Sequence, residues 1–289
     1  MTEQRDTPPE TGFVSRVAVT PVSQSMTAWR RIAAMILRYS YLIKGSWPRL
    51  LDLWYWPTLQ IVLWGFITGF LVENSSFFAQ ATGILLGAVM LWDLLFRGQM
   101  GFALSFFEEM WSRNLGHLLV SPLRPRELIA ALLAMSVIRT IVGVAPATFL
   151  AIWFFGFNLY ALGLMLIAFF ICLIMAGWSM GLLVSGLVLR FGMGAESLAW
   201  ALIFGIAPLC AIYYPVASLP DWIQPLSWAL PPTHIFEGMR AILIDQTVRY
   251  DLLLSAILLD LAYFSAACWW FMHCLKVARN EGKLLQIGE

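Results

Sequence analysis

Charge is what this sequence has least of. Only 12% of its 289 residues are Asp, Glu, Lys or Arg, while 60% are hydrophobic and the mean hydropathy is +0.77. Soluble domains carry roughly 25% charged residues, so a soluble globule is excluded and an all-α polytopic membrane protein is expected. The net charge of +1 removes the electrostatic basis for a nucleic-acid partner. Cysteine is sparse and scattered: Cys172, Cys210, Cys268 and Cys274 all sit inside apolar runs, with no disulfide framework and no CxxC metal pattern. No G-x-x-x-x-G-K-[ST] phosphate loop occurs, so the chain has no usual means of binding ATP itself. The first 25 residues are polar, hold three prolines and lack the apolar stretch of a signal peptide. Residues 1–25 are therefore expected to be a flexible cytoplasmic tail, and 26–289 a transmembrane domain.

What the sequence does have is long apolar runs. A spanning helix needs about 20 apolar residues, and six stretches qualify, at about 51–72, 77–107, 128–155, 159–189, 196–216 and 252–275. Ahead of them, residues 26–50 place Trp29, Ile32, Met35, Ile36 and Tyr39 at helical spacing among Arg30, Arg31, Arg38 and Lys44. That pattern predicts an amphipathic helix with a basic face, suited to an anionic membrane surface. Lys and Arg concentrate in the N-terminal arm, in the second connection (Arg113, Arg124, Arg126), at Arg190 and after the last span (Lys276, Arg279, Lys283). The positive-inside rule then puts both termini on the cytoplasmic side of a cytoplasmic (inner) membrane.

Two connections carry more information than loops need. Residues 108–128 read EEMWSRNLGHLLVSPLRPREL, a short amphipathic helix broken by Pro122 and Pro125. Residues 213–240 read YYPVASLPDWIQPLSWALPPTHIFEGMR, rich in proline and closing on a helical tail. Pro231 and Pro232 favour a fresh helix start at Thr233 as N-cap, followed by an apolar stripe of Ile235, Phe236, Met239, Ile242 and Leu243. Glu237 and Arg240, three apart, fall on the other side and are expected to pair. Two short helices folding back into the outer leaflet, a re-entrant outer hairpin before the last span, are expected from this pattern.

In residue order, Pro215, Leu219, Pro220, Trp222, Pro231, Pro232, Glu237 and Arg240 resemble the segment before the last span of ABC-2-type export permeases, the membrane half of ATP-driven exporters. The second connection is similar to the same family at Glu108, Glu109, Leu118, Leu119, Ser121, Pro122 and Leu123. The resemblance implies that 108–122 is a coupling helix seated in a groove of a separate ATPase subunit, while the two short outer helices make 220–240 the expected gate at the exit. It also implies a permease dimer, expected as a homodimer amid membrane lipids, with ATP and Mg bound by the partner ATPase and no cofactor held directly. In related exporters the first, second and fifth spans line the path, which would bring the mid-span aromatics Trp64, Phe66, Trp200 and Phe204 towards a lipophilic, glycolipid, polysaccharide or drug-like cargo.

Four ionisable residues fall inside the runs. Asp93 and Arg97 are one turn apart and could pair. At 1.5 Å per residue, Arg139 lies roughly 18 Å into the third run and Asp260 roughly 12 Å into the sixth from the opposite side. In a hydrocarbon core about 30 Å thick these are one level, so an Arg139–Asp260 bridge is expected. Two other functions draw on the same runs. An ion-coupled secondary transporter would use Asp93, Arg139 and Asp260. An intramembrane serine hydrolase would use Ser179, within Gly177-Trp-Ser-Met-Gly181, with His273. Against it, an uninterrupted helix cannot supply the strand–turn–helix elbow, and Gly177 and Gly181 also read as a G-x-x-x-G contact between helices.

Overall fold

Lipid offers a backbone amide no partner, so apolar runs must close their hydrogen bonds within themselves and fold as helices. In the computed structural model, which describes residues 27–74 and 76–282, the regular elements are all helical. They are α1 (Ala28–Lys44), α2 (Trp47–Asn74), α3 (Ser76–Trp111), α4 (Leu115–Val120), α5 (Pro125–Phe155), α6 (Leu164–Phe191), α7 (Leu198–Ile206), α8 (Gln224–Trp228), α9 (Pro231–Asp245) and α10 (Tyr250–Asn280), with short 3-10 turns between some of them. The expected tail, 1–25, lies outside the described residues.

Four stretches among the described residues are long and apolar enough to cross a membrane: Gly83–Trp111, Pro125–Phe155, Leu164–Phe191 and Tyr250–Asn280. They fall on the expected second, third, fourth and sixth runs, and the first run lies within the 28 residues of α2. The fourth helix begins at Leu164, not at 159, because Gly163 takes a φ of 59° that ends a separate turn over Leu159–Leu162.

The fifth run departs from expectation. It was expected to cross as one helix over 196–216, but α7 ends at Ile206 after nine residues, about 14 Å at 1.5 Å per residue. Pro208 has no N–H for the carbonyl one turn back, which stops the helix from propagating. Ala211 then adopts a φ of 50°, in the left-handed region, and the chain turns away. The apolar helical run is Met193–Ile206 only.

α3 is the axis of the bundle. It packs on α6, α5 and α2, and α6 in turn packs on α10, giving the lateral order α5, α3, α6, α10. In the most apolar window of α3 78% of residues are buried, against 22% for α10. The α3–α6 crossing is close because glycine lines it. A Cβ on Gly177 would stand 2.6 Å from the Leu95 carbonyl oxygen and 2.7 Å from the Gln99 nitrogen, so no side chain fits there. This is the close contact that the G-x-x-x-G spacing predicts. Between α10 and α3, Phe271 meets Phe106 and Phe102 edge to face, at 5.4 and 6.3 Å between centroids.

α1 is held by protein as well as shaped for a surface. Met35, Tyr39 and Ile43, four residues apart, are buried, and the helix lies against α5 and α2. Two members of the expected basic face, Arg31 and Arg38, turn to carboxylates of the bundle instead of to solvent. Trp29, Leu37 and Tyr41 remain exposed on the opposite stripe.

Candidate functional site

Both connections singled out by sequence sit at bundle ends, and they are built differently. At the α4 end, α3 stops at Trp111 and Arg113 takes a φ of 53° to reverse the chain. Glu109 is buried at this turn and accepts from Arg38 at 2.6 and 3.2 Å and from the Asn114 amide at 2.7 Å. Tyr39 lies beside it. Burial, and after it the Glu109 charge, raise the Tyr39 phenol above its ordinary pKa, so it stays protonated. Ser121 shapes the exit from α4, donating to the Leu118 carbonyl at 2.5 Å while its oxygen accepts from the Leu123 amide at 3.3 Å. Pro125 then starts α5 at its first position.

Glu127 was not singled out from the sequence, yet it does two jobs. Its carboxylate accepts from the Arg124 amide at 3.0 Å, closing a capping box, and from Arg31 at 2.6 and 2.8 Å. The Arg31 guanidinium is raised above its ordinary pKa chiefly by that hydrogen bond. The signal was available: Pro125 at the first helical position with Glu127 at the third is a helix-start pattern.

The face that α4 offers outward is not the expected one. Leu115 is buried, and Leu118 and Leu119 are half-buried and packed against the core. Val120 is 90% exposed, and His117 beside it is also exposed, with Trp111 and Arg113 on the preceding turn and Pro122, Arg124 and Arg126 on the following one. A six-residue helix has one outward stripe, and the paired leucines are on the other side of it. Glu108 likewise turns inward, to Arg139 at 3.2 Å.

That contact corrects the expected Arg139–Asp260 bridge. Two helices, α3 and α6, stand between α5 and α10, so equal depth did not bring the two side chains together. Helical side chains lean towards their own N-termini. On antiparallel α5 and α3 this aims Arg139 and Glu108 at each other. Asp260 is fully buried on α10, beside Cys172, and neither of its oxygens has a hydrogen-bond partner among the described residues. Asp93 and Arg97 do pair, at 2.6 Å, both buried.

At the opposite end α8 and α9 follow the break in the fifth run. α9 begins at Pro231, with both prolines in its first turn, where missing N–H groups cost nothing. Thr233 is therefore inside the helix and Leu230 is its N-cap. Ile235, Phe236 and Met239 are fully buried, as the stripe predicts, but Arg240 is buried too. Arg240 pairs with Glu237 at 3.0 Å and donates to the carbonyls of Ala211 and Ile212, the latter at 3.0 Å. Glu237 accepts from the Val216 amide at 2.7 Å. Ser227 of α8 donates to the Leu209 carbonyl at 2.6 Å. Backbone groups left open where α7 breaks are thus satisfied by α8 and α9. Pro231 and Pro232 are buried in this assembly, whereas Pro220 and Trp222 are exposed, Trp222 by 80%.

Two aromatic groups join neighbouring elements. Trp64 of α2 stacks on Tyr213 at 4.9 Å, and Phe96 of α3 meets Trp200 and Phe204 of α7 at 5.8 and 6.1 Å. Phe66 instead turns to Phe155 of α5. The hydrolase pair is not assembled. The Ser179 hydroxyl donates to the Met175 carbonyl at 2.9 Å within its own helix, and the His273 ring stacks on Trp269.

A family model described as ABC-2 type transporter matches residues 24–244 of the chain. A comparison with curated proteins returns no match.

Proposed function

The chain belongs to the ABC-2 type transporter family, and from that premise we propose that it is the permease subunit of an exporter whose ATP is hydrolysed on a separate chain. ATP and Mg are then bound by that partner, consistent with a sequence that has no phosphate loop. Two copies of the permease, most simply a homodimer, form the pathway. Each crosses the membrane six times, with α2 as the first span and the broken segment from α7 to Val216 as the fifth. The α4 end faces the cytoplasm, where the arginines of the second connection and the C-terminal cations belong. The cargo is lipophilic, a glycolipid, a polysaccharide or drug-like, and the exposed rings of Trp200 and Phe204 beside Phe96 give a planar surface on which it can stack.

The observation that carries coupling is the outward face of α4. Val120, 90% exposed at the end of α4 in a segment that also carries Arg113, Arg124 and Arg126, supports a contact with another protein there. Its sequence-based counterparts, Leu118 and Leu119, support the helix from behind, while Glu108 and Glu109 hold its base. The test is Val120→Asp, with the permease and its candidate ATPase reconstituted together in nanodiscs. The variant is expected to insert and fold like the parent but to lose permease-dependent stimulation of ATP hydrolysis. Normal stimulation by Val120→Asp and His117→Asp together would remove α4 from the ATPase contact.

A further inference from the structure

Because α7 is short and packs on α6 and α3, space is left between it and α10. A cavity of about 390 Å³ fills that space, walled by Met180 and Leu183 of α6, Leu202 and Ile206 of α7, and Ala266 and Trp270 of α10. Its upper edge is Leu230–Pro232, the start of α9. Three of the four polar side chains on its walls have their polar atoms bonded to backbone carbonyls, and the fourth, Trp269, is stacked on His273. Ser179 donates to Met175, Trp270 Nε1 to the Leu183 carbonyl at 3.2 Å, and the Tyr263 hydroxyl to the Ala229 carbonyl at 3.2 Å. That leaves a polar ligand few partners there, and a hydrocarbon chain needs none.

The groove leads to charge. On α6 the stripe Ala176, Met180, Leu183 continues through Leu187 to Arg190, and on α10 the stripe Ala266, Trp269 continues through His273 to Lys276. The two helices are side by side there, since a Cβ on Gly186 would lie 2.6 Å from Trp270 Nε1 and 3.6 Å from Cys274. Arg190 and Lys276 are both exposed, and neither has a carboxylate partner among the described residues. From Leu183 to Arg190 is about 10 Å along the helix, so one amphiphile reaches both. We propose that this face binds an anionic phospholipid, one acyl chain lying in the α6–α7–α10 groove and the phosphate held between Arg190 and Lys276. The occupant is a lipid because the walls are apolar at the depth of the membrane-crossing helices. It is anionic because both groups at the mouth are cations. The site does not depend on the export reading.

The experiment uses the full-length protein equilibrated in detergent with equal phosphatidylglycerol and phosphatidylcholine, washed, and examined by native mass spectrometry. The parent is expected to retain phosphatidylglycerol in preference. R190Q/K276Q, both at exposed positions, is expected to lower that retention about ten-fold, as loss of charge-assisted bonds to a phosphate implies. Ala266→Trp, which fills the groove, is expected to remove the retained lipid altogether. Equal retention of the two lipids by the parent, or unchanged phosphatidylglycerol in R190Q/K276Q, overturns the proposal. Should Ala266→Trp fail to fold, brominated acyl chains decide in the parent. Brominated phosphatidylglycerol should quench tryptophan fluorescence more than brominated phosphatidylcholine, and W269F/W270F should abolish that difference. Equal quenching by the two lipids counts against the site.

Discussion

The two ends of the bundle spend their few charges in opposite ways. At the α4 end the ion pairs join residues far apart in sequence: Arg31 with Glu127, 96 positions apart, Arg38 with Glu109, 71 apart, and Arg139 with Glu108, 31 apart. Each fastens one helix to another. At the α9 end the buried pair is local, Glu237 with Arg240 on one helix, and its work is done on backbone atoms of the broken fifth run. The difference reflects what each end has lost. Helices at the α4 end keep their internal hydrogen bonds and need only to be held together. The segment after α7 has no helix of its own, so side chains must replace the bonds it gave up. A bridge between helices can be exchanged for another contact, whereas a side chain satisfying buried backbone has no substitute nearby.

The largest effect expected from that contrast is at Arg240. Arg240→Leu leaves Glu237 without its cation and the Ala211 and Ile212 carbonyls without their donor. Removing one member of a sheltered pair costs about 3–5 kcal/mol, measurable as a lowered unfolding midpoint in detergent. Arg240→Lys should recover only part of it, because one ammonium cannot reproduce a planar fork. If Arg240→Leu costs no more than a change at the α4 end, the contrast is broken. Next is Glu109→Gln, which weakens the bonds from Arg38 and Asn114 and should cost about 1.5–3 kcal/mol, in line with hydrogen bonds to charged groups. Paired with Arg38→Gln in a double-mutant cycle, the losses should be less than additive. Additivity would mean that the two residues do not act as one fastening.

The smaller effects separate support from contact. Leu118→Asp with Leu119→Asp buries charge against the core and should lower stability before it says anything about coupling. Val120→Asp, on the open side, should change stability by no more than about 0.5 kcal/mol while abolishing stimulation of the proposed partner ATPase. Ser179→Ala is the smallest. Its hydroxyl bonds only the Met175 carbonyl one turn back, so both stability, within about 0.5 kcal/mol, and transport should survive. An inactive but well-folded Ser179→Ala protein would revive the hydrolase.

By itself the sequence determined the properties that depend on neighbours along the chain. Hydropathy over a window marks helices that can cross a membrane, because burial in lipid is a property of the run itself. Spacing of three or four residues foretold Asp93–Arg97, Glu237–Arg240 and the Gly177–Gly181 contact, because those positions share one helix face. Pro208 was a local warning of the broken fifth run, but an average over apolar residues smooths one proline away. Only the tertiary structure decided which helices are neighbours. Depth along a helix supplies one coordinate, and Arg139 needed the other two to meet Glu108 and miss Asp260. The same holds for the inward aim of Arg240, the inward lean of Leu118 and Leu119, and the outward face of Val120. Each is set by the rotation of a helix against its neighbours, a quantity that hydropathy and spacing leave free and packing fixes.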